Sequence, residues 1–530
     1  MPDPRAALRL LLLVIPAVAS AQDGAAPRCD RDLLDGEAAR PIFVRMADQL
    51  FPDAAAFPAH CAAHADEPRS ALRAVALHEL HTRADRSWGT VQAKVAELVA
   101  SKDVADLRRF WIVNGFACDA TPAAVRALVD LDAVAFVHRQ TQPGFVQHRS
   151  QPRRARWIEE SEADEKTALG MLAVRKGDEG DLELDGLTIP WNLERVHANR
   201  AWRDGATGEG IVIALHDSGL IVAPPLVEAL WRNPAEEPNG KDDDGNGLVD
   251  DLFGWDFAGD TRFCLGDGER SHGTMCAGIA VGRPFGEPRT ITGVAPRAKL
   301  MVLRGMGHLR AYEYAAAMGA HVLSLSYMWI DVELGSYRGV FRTAHEHLAA
   351  CGVVAVGGAG NFGRSSPPGK QIALPKDIPC VIAAAGIVES GEASPASSRG
   401  PCTWDDVPFF ADYPITAPLQ KPDVTACFGG FPVWHWTKFG EGRRVEVRWD
   451  DGHGFGLIVG PRGNSFAGPH AAGVAALMLS ANQELPAWRV KALMEATCAD
   501  LGEDGRDAIY GAGLLQADAA VNAARDLTRR

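Results

Sequence analysis

The chain has 530 residues, 47% of them hydrophobic and 23% charged, and a formal charge of −14. Such a length holds two or three domains with sizeable cores, and the composition is that of a soluble globular protein. The acidic balance excludes a nucleic-acid binder that works through a basic surface.

Arg5 and Arg9 precede the apolar run Leu10 to Val18, and Ala19-Ser20-Ala21 follows. A positive start, a short apolar core and a small-residue cut site have the form of a secretory signal over 1–21. The run is too short to span a bilayer, and no later stretch approaches 18 apolar residues, so no membrane span is expected. The expected location is outside the cytoplasm, extracellular or periplasmic. Export makes the ten cysteines available for disulfides. Three lie early, at Cys29, Cys61 and Cys118, and seven late, at Cys264, Cys276, Cys351, Cys380, Cys402, Cys427 and Cys498. Seven is odd, so one late thiol is free if the early part is removed. The sequence does not fix the connectivity.

In "SWGTVQAKVAELVA", Val91, Val95, Leu98 and Val99 keep helical spacing. Phe110 to Phe116 reads as a strand. Thr121-Pro122 reads as a helix cap followed by a first-turn proline. Val125, Leu128 and Val129 share a helix face, and Val134 to Val137 is strand again. The result is a small βαβ unit, and residues 22–141 form an N-terminal α+β domain with its core at about 105–141.

From about Gln142 to Gly186 the periodicity dissolves into basic, then acidic and polar runs, which read as a linker. Arg153-Arg154-Ala155-Arg156 offers one place for a maturation cut. After it, over 187–530, short β-branched runs alternate with alanine-rich helical stretches. The runs are Ile211 to Leu215, Leu300 to Leu303, Val322 to Leu325, Val353 to Val356 and Val381 to Ala385. Continuous apolar strands separated by helices predict an α/β fold, a parallel sheet covered on both faces. Functional groups in such sheets collect at the carboxyl ends of strands. "RRVEVRW" at 443–449 alternates like an exposed strand and, with the residues up to Pro461, predicts a hairpin.

Four local features stand at such places. Asp217 ends the first buried run and is followed by Ser218-Gly219. His272 precedes Gly273 and a helix of small residues, where the helix dipole keeps an imidazole from becoming too basic. Asn361 follows a buried strand and Ala359-Gly360, and its amide can donate to a developing oxyanion. Ser465, in "GNSFAGPHAAGVAAL", stands at a helix start, where the dipole favours negative charge. Each has a plain structural reading as well: a turn cap, a hydrogen-bonded histidine, a turn asparagine, a helix cap. Their order, Asp217, His272, Asn361, Ser465, differs from the Ser, Asp, His order of α/β-hydrolases.

In that order the motifs resemble the subtilisin-like serine proteases over roughly Trp191 to the end. Asp217-Ser218-Gly219, His272-Gly273-Thr274 and Gly463 to His470 are similar to the family's three catalytic motifs. The run "NPAEEPNGKDDDGNGLVDDLFGWDF" resembles the bacillopeptidase F-like branch. The resemblance implies a three-layer subtilisin-like catalytic domain behind an inhibitory propeptide. It also implies an endopeptidase in which Ser465 is nucleophile, His272 base, Asp217 its orienting carboxylate and Asn361 an oxyanion donor. Ser326, Tyr327, Met328, Ala359 and Gly360 would line the substrate site. Partners are protein or peptide substrates and the chain's own propeptide, in a monomer without an organic cofactor.

The departures are Asn464 and Phe466 around Ser465, Met275 after the His motif, and Met328 and Trp329 where the family has glycines. They keep open a catalytically silent binding protein of the same fold. Asp242, Asp244, Asn246, the Leu248 carbonyl and Asp250 or Asp251 resemble the first part of a structural calcium loop, with Phe253 where its last glutamate belongs. They also fit a solvated acidic turn, and a calcium-dependent structural domain with a coincidental triad is a third reading. By the resemblance, Cys351 pairs with Cys380, which precedes the neighbouring strand, and Cys402 pairs with Cys427.

Overall fold

The computed structural model describes residues 28–141, 163–172, 182–266, 272–330, 332–405, 407–437 and 445–528. The signal at 1–21 and the arginines at 153–156 lie outside the described residues.

The N-terminal unit is built on strand β1 (Arg40–Met46), long helix α1 (Arg69–Ala100), strands β2 (Val104–Phe110) and β3 (Gly115–Ala120), helix α2 (Pro122–Val129) and strand β4 (Val134–Arg139). The strand order is β2-β3-β1-β4. β1 lies between β3 and β4 and is antiparallel to both, so the expected βαβ unit is split by a strand from further upstream. Thr121 caps α2 as expected, its Oγ1 accepting the Ala124 N–H at 3.2 Å. The strand expected at 110–116 is instead a hairpin corner. Asn114 takes φ 37° there, and its buried amide donates to Asp48 O at 2.7 Å and Ser87 Oγ at 3.0 Å. A Cβ on Gly115 would come 2.4 Å from Val44 O, so only glycine lets β3 approach β1.

The larger unit carries seven parallel strands: β5 (Val212–Asp217), β6 (Gly254–Asp256), β7 (Lys299–Arg304), β8 (Val322–Leu325), β9 (Val354–Gly358), β10 (Ile382–Ile387) and β11 (Val424–Cys427). Their order is β11-β10-β9-β8-β5-β7-β6. Every expected run forms a strand, and each is mostly apolar and buried because helices cover both faces. Those that frame the site are α3 (His272–Val281), α4 (Leu309–Ala317), α5 (Arg338–Ala350) and α6 (Asn464–Ala481). Gly468 lets α6 lie directly on β9, since a Cβ there would stand 2.6 Å from Gly358 N. The predicted hairpin is part of a three-stranded antiparallel sheet of β12 (Pro432–Trp436), β13 (Glu446–Asp450) and β14 (Phe455–Val459). Its Trp434 is fully buried against Gly278 of α3. Arg443 and Arg444 are outside the described residues.

The span read as linker is helical at 163–172, where Ala168 is buried in the main core and Glu165 pairs with Arg262 at 3.5 Å. The N-terminal unit docks on α4 and α5. Glu313 Oε1 accepts the N–H groups of Trp111 at 2.5 Å and Ile112 at 3.1 Å. His347 Nδ1 meets Ile112 O at 2.6 Å, and its Nε2 accepts the Phe51 N–H at 3.3 Å.

All ten cysteines are free thiols, which corrects both expected disulfides. Cys351 ends α5, and its carbonyl accepts Arg73 of α1 at 3.1 Å. The Cys402 thiol donates to Ile372 O and the Cys427 thiol to Asn192 O, so these two point into different parts of the core. Among the described residues no helix is long and apolar enough to cross a membrane.

Candidate active site

Asp217 ends β5, where its register partner on β7 is Arg304. The side chain is buried, and Oδ1 accepts the Ser218 N–H at 2.8 Å and meets His272 Nδ1 at 2.7 Å. Burial alone would push the carboxyl up. The His272 ring and the Ser218 N–H outweigh it and hold the group below the usual carboxylate range. For His272, burial works downward, but the Asp217 carboxylate, with Cys276 adding, raises the imidazole well above its ordinary value. The moderating helix dipole expected at this position is therefore overruled by a carboxylate in hydrogen-bond contact.

Ser465 is the second residue of α6 and is half-buried. Its carbonyl accepts Ser326 Oγ at 2.8 Å and the Cys276 thiol at 3.4 Å. The same thiol lies 4.0 Å from His272 Nδ1, so one small side chain touches both the serine backbone and the histidine ring. Ser465 Oγ donates to Ser326 O at 3.4 Å, and no hydrogen bond joins it to His272 among the described residues. Asn361, exposed after β9, accepts the Asn464 N–H on Oδ1 at 2.7 Å. The bond fixes the amide plane and leaves Nδ2 on the other side. Asn464 in turn donates to Gly360 O at 2.7 Å and Ser397 Oγ at 2.9 Å. The asparagine that departs from the family motif thus ties the helix start to the strand that carries Asn361.

The five expected substrate-lining residues divide. Ser326, Ala359 and Gly360 stand beside Ser465 and Asn361. Tyr327 turns away: its hydroxyl meets Tyr312 at 2.8 Å and His216 Nδ1 at 3.4 Å in the buried layer behind the sheet. His216 is structural, bonded to Gly305 O at 2.6 Å and pushed down to about 3 by burial. Met328 faces Gly360 and Ala373, and its Sδ accepts the Ala373 N–H at 3.1 Å. Trp329 and Phe466, two of the departures from the family motifs, are both buried, on Phe341 and Phe431 respectively.

The acidic loop folds differently from its linear spacing. The Asp242 carboxylate is spent on the N–H groups of Gly245, Asn246 and Gly247, and Asn246 Oδ1 on that of Leu248. Asp250 takes the Asn239 and Gly240 N–H groups and pairs with Arg262. What converges instead is Asp244, Asp251 and Glu236, with carboxylate oxygens within 4.8 Å of one another. Sequence reasoning missed Glu236, whose only signal is its place eight residues ahead of Asp244. Three carboxylates make an all-oxygen set that suits a hard divalent cation. Burial, with Asp244 adding, pushes Asp251 up to about 6, so a cation there would relieve a real electrostatic cost.

Comparison with known proteins gives a consistent result. A family model described as the subtilase family matches residues 208–513. A probable subtilase-type serine protease of Deinococcus radiodurans is 27% identical over 339 residues, covering 61% of this chain and 42% of its own length. Bacillopeptidase F of Bacillus subtilis is 25% identical over 478 residues, or 86% of this chain and 29% of that protein. The chain thus spans less than half the length of either. Subtilisin BL of Lederbergia lenta is 25% identical over 351 residues, 63% of this chain and 99% of that one. Among solved structures, fervidolysin from Fervidobacterium pennivorans, a keratinolytic enzyme related to subtilisin, aligns with a TM-score of 0.54 at 19% identity over 92% of this chain and 62% of its own. This last likeness supports the three-layer fold alone.

Proposed function

This chain belongs to the subtilase family, and from that premise we propose that it is a secreted serine endopeptidase made as an inactive precursor. Ser465 Oγ attacks the peptide carbonyl while His272 takes its proton, and Asp217 orients the ring and stabilises the imidazolium. The Ser465 N–H lies in the first turn of α6, where it has no carbonyl one turn back. With Asn361 Nδ2 it receives the oxyanion. His272 then protonates the leaving amine as the C–N bond breaks, and water, deprotonated by the same imidazole, hydrolyses the acyl-enzyme. On this reading Ser465 Oγ turns from Ser326 O to the imidazole when substrate binds. Such contacts are often loose without substrate and tighten when it binds.

The observation that carries this reading is the 2.7 Å Asp217–His272 pair, whose ring shares the Cys276 thiol with the Ser465 carbonyl. In the same reading residues 22–141 are the propeptide, 142–186 hold the maturation cut, and 1–21 direct export. Glu236, Asp244 and Asp251 would hold a calcium ion that stiffens the loop after residue 235. A silent binding protein of the same fold draws on one observation, the Ser465 Oγ bonded to Ser326 O at 3.4 Å.

A fluorophosphonate probe decides between the two. Labelling of the processed wild type that is lost in Ser465→Ala supports the peptidase, and an unlabelled processed wild type supports the silent protein. N-terminal sequencing of both forms adds the precursor claim: a cut within 142–186 that needs Ser465 is the expected result.

A further inference from the structure

The recess beside Ser465 is bounded by three chain segments. Ser326 to Met328 leaves the end of β8, Ala359 to Asn361 leaves the end of β9, and Gln371 to Ala373 closes the far side. On the peptidase reading, a carbonyl carbon on Ser465 Oγ with its oxygen toward Asn361 Nδ2 carries its Cα about 1.5 Å away. The side chain on that Cα has one way down, between the first two segments.

Here that way is filled. A methyl placed on Gly360 would come 2.4 Å from Met328 Cε, 2.7 Å from Ser398 Oγ and 3.3 Å from Gln371 O. The Met328 methyl therefore already lies on the Gly360 backbone, with the far wall directly behind. A free methionine adapts its shape easily, but this one is held at both ends: Sδ accepts the Ala373 N–H at 3.1 Å, and Cε rests on Gly360. Trp329 takes no part, since its ring packs on Phe341 with centroids 4.4 Å apart. One side chain does the filling.

We infer that Met328 is a specificity-determining residue, and that the protein cleaves after glycine, alanine or serine while rejecting residues with large side chains at the acyl position. The inference rests on the peptidase reading and narrows its substrate class. A single excess methylene in a closed pocket costs roughly 10–200-fold in kcat/KM, and phenylalanine exceeds alanine by a whole ring.

The test uses the full chain, expressed and allowed to mature. A mixed peptide library read by mass spectrometry gives the cleavage profile, and two peptides that differ only in alanine or phenylalanine before the scissile bond give the ratio of kcat/KM. The expected profile is confined to small residues, with a ratio of at least about 100 in favour of alanine. In Met328→Gly that ratio falls at least tenfold as the recess opens. Efficient wild-type cleavage after phenylalanine or leucine overturns the inference and leaves the peptidase reading intact. So does a ratio that Met328→Gly does not move. The wild-type profile needs no variant, so misfolding of Met328→Gly leaves the inference exposed to refutation. No cleavage and no fluorophosphonate labelling would end the peptidase reading and the inference with it.

Discussion

Glu313→Gln tests how the N-terminal unit is held. Glu313 stands on α4 with its carboxyl turned into the junction, where Oε1 accepts the Trp111 and Ile112 N–H groups at 2.5 and 3.1 Å. Burial pushes its pKa from 4.5 up to about 7, against the pull of those two bonds and of Arg310 and Arg108. A folded-state pKa above the unfolded value means that the folded protein binds the proton more tightly. The associated stability is present in full below about pH 4.5 and is lost as pH rises through 7. Between pH 5 and pH 8 the loss comes to about 2.5 kcal/mol for a fully buried group. Glu313 is only half-buried, so a loss of about 1–2 kcal/mol is expected after solvent screening. Glutamine keeps an acceptor for both N–H groups and removes the titration. In the Ser465→Ala background, which prevents cutting, urea unfolding of the two forms should give similar stabilities at pH 5. At pH 8 the Gln form should be the more stable by that amount. Amide exchange at Trp111 and Ile112 reports the same change locally. A stability difference between the two forms that is the same at both pH values would refute the reasoning.

Asn361→Ala should lower kcat by roughly 10²–10³-fold with little change in KM, a range that is subtilisin's own and is carried over here to a relative; steady-state kinetics check it, and a loss under threefold would remove Asn361 from the oxyanion site. Calcium at about 100 times its Kd should stabilise the protein by about 2.7 kcal/mol and raise its Tm, and Asp251→Asn should abolish the shift; equal Tm values in calcium and in chelator would exclude the site. Lys376 is buried, its Nζ has no hydrogen-bond partner among the described residues, and burial lowers its pKa to about 7, against the pull of Asp217, Asp377 and Cys276. The depressed value makes its cost grow as pH falls from 10.5 toward 7, so Lys376→Met should stabilise the protein at pH 7 by up to about 4 kcal/mol and by under about 1 kcal/mol at pH 10. Urea unfolding at the two pH values checks this, and destabilisation at pH 7 would show that the contact of the ammonium with the Tyr327 ring, 4.8 Å away, outweighs the cost of burial.

The parallel sheet was legible because its strands are covered on both faces and so appear as unbroken apolar runs, from Val212 to Ile387. The strands that escaped notice, Gly254–Asp256 and Val424–Cys427, are three and four residues long and lack the aliphatic density of the equally short Val322–Leu325, where three of four residues are Val or Leu. In the N-terminal unit the Asn114-Gly115 pair is a hairpin signal inside an apolar run, and reading the run as one strand overlooked it. Arg40–Met46 pairs with strands 70 and more residues away, and nothing local announces that it parts β3 from β4.

At the site, the sequence shows residue types at strand and helix ends but not the rotation of each side chain once the strand has stopped. Period-two alternation holds inside β8 and ends at Leu325. Beyond it Tyr327 goes to the buried layer, Met328 to the recess and Trp329 to Phe341, and only packing decides which. The acidic loop fails in a related way. Ligand spacing assumes that carboxylates are free to turn toward an ion, but a loop with Gly245 and Gly247 at positive φ exposes a row of N–H groups that capture Asp242 first. The carboxylate that replaces it, Glu236, comes from outside the loop and is itself held by the Asp243, Asp244 and Asp250 N–H groups. Both acids accept three backbone N–H groups, so what brings Glu236 rather than Asp242 to Asp244 and Asp251 is where the folded loop places each carboxylate, and that placement appears only once the chain has folded.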